Sequence, residues 1–152
     1  MRMRAVLMIA VVFLSACSGS KEEPPSEFRR GTAIVETDDG AVLLEVDIAD
    51  TPELRGKGLM GREELDEDEG MAFLFFEDTF AGFYMKDTLI PLSIAFFRQD
   101  GTIVEILDMD PCEEEPCPTY MPRVAYRGAI EVNQGAFERL GIEVGDEVRI
   151  SP

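Results

Sequence analysis

Apolar residues of this chain fall into short runs separated by turn residues, and the most apolar stretch of its interior covers residues 70–97. This stretch holds seven of the ten phenylalanines of the chain. Two polar clusters interrupt it, at residues 77–79 and 86–88, although an ordinary core strand needs neither. The pattern therefore predicts an apolar core with a polar feature set into it.

The apolar runs predict a mainly β domain with two short helices. Asp39-Gly40 indicates a hairpin between the first two strands, and residues 99–101 indicate another. Thr51-Pro52 begins a short helix, and residues 134–140 form a second. The predicted strands cover residues 32–36, 42–48, 71–76, 80–86, 92–98, 102–109, 128–132 and 147–150. Short strands with brief helices predict a compact, antiparallel β-sandwich or barrel in a single domain.

The strand at residues 92–98 has almost no polar alternation, which is typical of a strand covered on both faces. We therefore predict that it is the central strand. The segment at residues 110–123 carries four prolines and two cysteines, and it is predicted to be a long loop.

The N-terminus is predicted to be a targeting segment and not part of the folded domain. Two arginines precede an apolar run at residues 5–14, which is too short to span a bilayer. Leu14-Ser15-Ala16-Cys17 then resembles the bacterial lipoprotein box, which implies lipidation of Cys17 and cleavage just before it. The alternative is an ordinary signal peptide with an incidental cysteine. We predict a signal peptide at 1–16, a lipidated cysteine with a flexible tether at 17–30, and one domain at 31–152.

These features predict a protein of the bacterial cell envelope. Its membrane contact is the lipid on Cys17, and its domain faces the extracytoplasmic side. The chain carries 31 acidic and 14 basic residues, a net charge of −17, which repels nucleic acid and anionic headgroups. No nucleic-acid partner is predicted. The chain has no histidine, which excludes Ser-His-Asp and Cys-His triads and the usual zinc sites.

With Cys17 assigned to lipid, Cys112 and Cys117 remain as an even pair in an exported chain, and we predict a disulfide between them. The alternative is a metal site with the glutamates at 113–115. The acidic run at 63–69 is predicted to be a solvated loop, since it lacks the spacing of a calcium loop. A copper(I) site is disfavoured because the candidate methionines are scattered, at Met60, Met71, Met85, Met109 and Met121. No metal or cofactor is predicted.

Five polar residues beside the apolar runs are candidate ligand-binding residues: Arg62, Lys86, Asp87, Thr88 and Glu131. Charged groups in such surroundings are costly unless they are paired or lie in a cleft. We predict that the four charged members converge at one polar pocket or one structural latch. The sequence leaves the two alternatives open.

Five ordered motifs resemble the DUF192 (UPF0127) family. They are Gly-Leu-Met-x-Arg at 58–62, Gly-Met-x-Phe at 70–73, the segment 83–96, Ile-Glu-Val-Asn-x-Gly at 130–135, and Gly-x-x-x-Gly-Asp at 141–146. The resemblance implies a compact, mostly β fold that is often exported, with no agreed activity. The chain departs from the family pattern at Tyr84, where tryptophan is usual, at Asp87, where asparagine is usual, and at Ser93, where aspartate is usual.

The favoured function is a lipid-anchored binding or accessory module for a small molecule or an envelope component. The alternative is a hydrolase that uses Asp87 and Glu131 as an acid/base pair. Binding is favoured over catalysis because the sequence contains no nucleophile motif, phosphate loop or metal cluster that would support an enzyme.

Overall fold

The structure, a computed structural model, describes residues 27–152. The predicted signal peptide, the lipidation at Cys17 and most of the predicted tether lie outside these residues. Within them the strands are β1 (Arg29–Thr37), β2 (Gly40–Ala49), β3 (Glu69–Thr79), β4 (Phe83–Tyr84), β5 (Leu92–Phe97), β6 (Ile103–Met109), β7 (Thr119–Tyr120), β8 (Tyr126–Asn133) and β9 (Glu147–Ser151). The helices are α1 (Pro52–Lys57) and α2 (Ala136–Arg139).

Seven strands form one sheet in the order β6-β5-β8-β3-β2-β1-β9, and β4 pairs with β7 in a separate two-stranded sheet. The large sheet is not closed, although hydrogen bonds join Ile103 at one edge to Asp146 and Gly145 beside the other. The prediction of a mainly β single domain with two short helices is confirmed.

One pair of the large sheet, β2 with β3, is parallel. Its connection, residues 50–68, contains α1 and is long enough for the crossover that a parallel pair needs. The sequence favoured a mainly antiparallel architecture because the two helices are too short to be parallel crossovers by themselves. The loop that follows α1 supplies the remaining length.

Two predicted strands differ from the structure. The strand at 80–86 is reduced to the two residues of β4, whose partner β7 lies in the segment predicted to be a loop.

All six residues of β5 are buried, as predicted for a strand covered on both faces. However, β5 lies next to the edge strand β6, and the centre of the sheet is β3. Cover on both faces therefore comes from two apolar layers and not from a central position.

These two layers lie on opposite faces of the sheet. The α2 face packs Ile130 and Val132 of β8 against Phe137 of α2. The α1 face packs Ala129 of β8, and Phe73 of β3, beneath α1 and the segments on either side of β4. Successive residues of a strand point to opposite faces, so Glu131 shares the α1 face with Ala129.

Helix α1 is short and sharply bounded. The hydroxyl of Thr51 accepts a hydrogen bond from the backbone N–H of Leu54 at 3.2 Å, and Pro52 occupies the first helical turn, as predicted. Gly58 ends the helix with a φ of 48°, which favours glycine. Leu54 is buried, so α1 is pinned to the sheet.

The predicted disulfide between Cys112 and Cys117 is present. At the N-terminus of the described part, the last two residues of the predicted tether, Arg29 and Arg30, already belong to β1. Among residues 27–152, none of the helices has the length and apolar character needed to cross a membrane.

Candidate functional site

A cavity of about 320 Å³ lies between α1, the β4 segment and the α1 face of the sheet; we call it the α1 cavity. Its volume is at the lower end of the range for small-ligand sites. Most of its lining is apolar, including Leu59, Met60, Phe73, Phe83 and Met85. Phe83 also packs edge-on against Phe73, with ring centroids 5.0 Å apart, so this wall is an ordered aromatic cluster.

Glu131 supplies the carboxyl group of the cavity. In the sheet it lies opposite Met71 of β3 on one side and Ile94 of β5 on the other, so its cross-strand neighbours are both apolar. The residue is only 5% exposed. Burial raises the pKa of the Glu131 carboxyl to about 8, because its apolar surroundings disfavour the ionised form. At pH 7 it is mainly a neutral acid that can both donate and accept a hydrogen bond.

No hydrogen bond or ion pair to the Glu131 side chain is found among residues 27–152. In the same part of the chain, every fully inaccessible side-chain oxygen or nitrogen has a hydrogen-bond partner. The Glu131 oxygens are therefore open to the α1 cavity, whose lining includes this residue. An unpartnered acid that faces an apolar cavity has a site for a ligand polar group beside it.

Arg62 does not reach Glu131. Its guanidinium pairs with the carboxylate of Asp47 on β2, and Arg30 pairs with the same carboxylate at 3.2 Å. Asp47 lies opposite Met71, which in turn lies opposite Glu131. The Arg62–Asp47 pair is thus two strands away from Glu131 on the same face of the sheet.

Lys86 has a different partner from Arg62. Its ammonium pairs with Glu115 in the disulfide loop, and both side chains are substantially exposed. The hydrogen bond between them raises the pKa of Lys86 and lowers the pKa of Glu115. Lys86 therefore ties the segment after β4 to the disulfide loop, outside the cavity.

Asp87 has a structural role that its neighbours in sequence do not share. Its φ is 54°, a left-handed conformation in which asparagine and aspartate are the favoured non-glycine residues. Its backbone carbonyl accepts a hydrogen bond from the N–H of Gly61 at 2.8 Å. The turn then directs Thr88, which is buried, toward the α1 cavity. Aspartate in place of the family's usual asparagine therefore keeps the turn.

The sequence predicted that the four charged candidates converge at one site. The structure instead places them in separate groups. Thr88 and Glu131 line the cavity, whereas Arg62, Lys86 and Asp87 do not. Each of the last three is held by a partner from another segment, and these partners could not be identified from neighbouring sequence.

Two residues of α1 that line the cavity, Arg55 and Lys57, were not predicted from the sequence. One guanidinium nitrogen of Arg55 donates to the carbonyls of Asp50 and Leu74, at 2.9 and 2.8 Å. The same guanidinium lies 4.7 Å from the centroid of the Phe75 ring. The sequence signal was present, since two cations flank a glycine, but cations in a last helical turn are also explained by the helix dipole.

Comparison with known proteins places this site in a recognised family. The family model of DUF192, described as an uncharacterized ACR, matches residues 33–150. The chain belongs to the DUF192 family. The matched range contains every residue of the α1 cavity named above, so the cavity is a feature of the DUF192 domain itself.

Two solved structures are similar to this DUF192 domain. A proposed transcription regulator from Sinorhizobium meliloti 1021 is 30% identical, with a TM-score of 0.76, over 83% of this chain and 97% of that one. A protein of unknown function from Novosphingobium aromaticivorans DSM 12444 is 31% identical, with a TM-score of 0.75, over 84% of this chain and 89% of that one. Among curated proteins, none matches this chain.

Proposed function

We propose that this DUF192 domain is a binding module that holds a small ligand in the α1 cavity. The observation that carries the proposal is the buried, unpartnered carboxyl of Glu131 in a mainly apolar cavity. A buried ionisable group without a partner is unfavourable for folding, so its presence needs a functional reason. A ligand polar group that hydrogen-bonds to Glu131 supplies that reason.

In this proposal the apolar body of the ligand packs against Phe73, Phe83 and Met85. Burial of that body supplies most of the binding free energy, at about 25 cal/mol per Å² of apolar area. The Glu131 acid group orients the ligand by donating its O–H. Thr88, which also lines the cavity, donates its O–H to the carbonyl of Lys86 at 3.4 Å, so its hydroxyl oxygen can accept a hydrogen bond from the ligand.

The hydrolase alternative has less support. Among the described residues that line the α1 cavity, Glu131 is the one carboxylic acid. Asp87, the other member of the proposed pair, is exposed and does not line the cavity. Glycosidic hydrolysis by two carboxyl groups requires both to face one substrate, about 5–10 Å apart. A binding role needs only the cavity.

We further propose that the domain works on the extracytoplasmic side of a bacterial membrane, to which the lipid on Cys17 attaches it. The lipoprotein box and the preceding apolar run support this location. The tether predicted from the sequence at 17–30 would span roughly 20 Å on average if it were a coil. The α1 cavity would therefore stay close to the membrane without entering it.

Nucleic-acid binding is not part of the proposal, although the similar protein from Sinorhizobium meliloti is described as a proposed transcription regulator. The net charge of this chain is −17. A protein that binds DNA gains most of its affinity from basic groups that contact phosphates. An acidic surface opposes such contacts.

Gly56 offers a way to test the cavity without disturbing the core. A Cβ added at Gly56 would have no heavy atom within 4 Å, and Gly56 lines the cavity. We expect Gly56→Phe to fill the cavity and Gly56→Ala to leave it open. In a fragment screen followed by ¹H–¹⁵N NMR, compounds should shift the amides of Glu131 and Thr88 in the wild type.

The same compounds should bind Gly56→Ala as they bind the wild type and should lose at least tenfold in affinity for Gly56→Phe, because its ring takes their place. Gly56→Ala should also be slightly more stable than the wild type, by about 0.5–1 kcal/mol, because alanine favours the helix. Equal binding to both variants would show that the compounds lie elsewhere and would contradict the proposed site.

The proposed anchor has its own test. Mass spectrometry of the membrane fraction should detect an N-terminal peptide that begins at acylated Cys17. A Cys17→Ser variant should lose this modification and leave the membrane fraction, because the lipid is the proposed attachment. An unmodified mature N-terminus in the wild type would contradict the anchor, though not the cavity.

A further inference from the structure

Cations of the described domain are mostly matched by carboxylates, as expected in a strongly acidic protein. Seven of them have an acidic oxygen within 4.0 Å: Arg29, Arg30, Arg62, Lys86, Arg123, Arg127 and Arg149. Within residues 27–152, four cations have no such partner, although acidic residues far outnumber basic ones: Arg55, Lys57, Arg98 and Arg139. Of these four, Arg55 and Lys57 line the α1 cavity. The positive charge at the cavity is therefore uncompensated by the domain's own acids.

Arg55 is also held in place before any ligand arrives. One terminal nitrogen is fixed by the carbonyls of Asp50 and Leu74, and the planar group lies beside the Phe75 ring. In the described residues its other two nitrogens have no hydrogen-bond partner. A fixed guanidinium with free N–H groups loses little entropy when it binds a carboxylate.

Lys57 provides a second, movable positive charge two residues further along α1. Its ammonium lies 5.0 Å from the centroid of the Phe28 ring, a cation–π contact in place of an ion pair. Arg55 and Lys57 thus flank Gly56, where the cavity wall has no side chain. Residues two positions apart on a helix do not face each other, so the two side chains leave α1 in different directions. The Arg55 guanidinium, beside the lining residue Phe75, is therefore the cation that faces the cavity.

From this arrangement we infer that the ligand of the α1 cavity is an amphipathic carboxylate, whose apolar tail lies against Phe73 and Phe83 and whose carboxylate binds the Arg55 guanidinium and the Glu131 acid group. The inference rests on the proposed binding function and specifies its ligand class. The titratable groups that line the cavity are Arg55, Lys57, Tyr84 and Glu131. Because Glu131 is mainly neutral at pH 7, it repels a bound carboxylate only weakly.

The test compares two probes that share a tail and differ in the head group, octanoate and octan-1-ol, by isothermal titration at pH 6.5. We expect octanoate to bind about three- to fivefold more tightly than octan-1-ol, which is the contribution of a partly exposed charge pair. Arg55→Gln should remove this difference, because it removes the charge that pairs with the carboxylate. The affinity of the same variant for octan-1-ol shows whether the cavity is still formed.

Arg98→Gln is the matched control, because Arg98 also lacks a carboxylate within 4.0 Å in the described domain and does not line the cavity. It should leave both affinities unchanged. If octan-1-ol binds the wild type as tightly as octanoate does, and Arg55→Gln does not weaken octanoate, the ligand class is wrong while the cavity remains a binding site. If Gly56→Phe also leaves the binding of both probes unchanged, the proposed function fails with it.

Discussion

Glu131→Gln is expected to stabilise the domain by about 3 kcal/mol at pH 7. Glutamine has the shape of the protonated acid but does not ionise. The ordinary pKa of glutamate is 4.5, and in the folded domain it is raised to about 8. At pH 7 the unfolded wild type gains free energy by releasing this proton, whereas the folded state keeps it, and each pKa unit corresponds to 1.36 kcal/mol.

The sign of the pH dependence follows from the proton count. Between pH 4.5 and pH 8 the folded state binds more protons at this site than the unfolded state, so the Glu131 contribution to stability falls as the pH rises. Below pH 4.5 both states are protonated, and the two proteins should be equally stable. The stability difference should therefore grow from near zero at pH 4 and level off above pH 8.

Urea denaturation at several pH values measures this difference, since the other titrating groups cancel between wild type and variant. Glu105→Gln is the control of opposite sign. Glu105 is also buried, but the backbone N–H and the guanidinium of Arg123 hold its pKa below the usual range. It contributes stability at neutral pH that is lost as the pH falls. A Glu131→Gln variant that is destabilised at pH 7 would mean that Glu131 is ionised and paired.

Asp47→Asn is expected to destabilise the domain by about 2 kcal/mol. The Asp47 side chain is 10% exposed and its partner Arg62 is 31% exposed, so the pair lies between a surface pair and a buried one. Loss of one member costs 3–5 kcal/mol in a buried pair and under 1 kcal/mol at the surface. The substitution leaves Arg62 half-buried without its carboxylate.

Asp47→Asn should also weaken ligand binding, because Arg62 anchors the segment that carries Leu59 and Met60 into the cavity lining. Arg30→Gln is the control, since it removes the more exposed cation from the same carboxylate, and it should cost under 1 kcal/mol. Thermal unfolding of both variants measures the stability change. If the two variants lose equal free energy of unfolding, the Arg62–Asp47 pair stabilises the domain no more than the Arg30–Asp47 pair does.

Much of the fold follows from local sequence signals. The hairpin of β1 and β2, the N-cap of α1 and the disulfide each depend on residues a few positions apart, and the structure contains all three. The parallel pairing of β2 with β3 depends on where the loop after α1 returns to the sheet. No short-range pattern encodes that position.

The site was predictable only in part for the same reason. Glu131 stands out in sequence as an acid among apolar residues, and the structure places it in the cavity. Arg62 and Lys86 stand out as well, but their partners, Asp47 and Glu115, are 15 and 29 residues away. Asp47 could have been identified from the sequence as a buried acid, because it interrupts the apolar end of β2. The pairing itself requires the sheet topology.

The most direct test of the binding site is the titration of the Glu131 carboxyl itself. In protein labelled with ¹³C at glutamate, the Glu131 resonance is assigned by its absence from Glu131→Gln and followed from pH 4 to pH 10. We predict an apparent pKa near 8, and a shift of this resonance when octanoate or another cavity compound is added. An apparent pKa near 4.5, with a resonance that no cavity compound perturbs, would contradict the account.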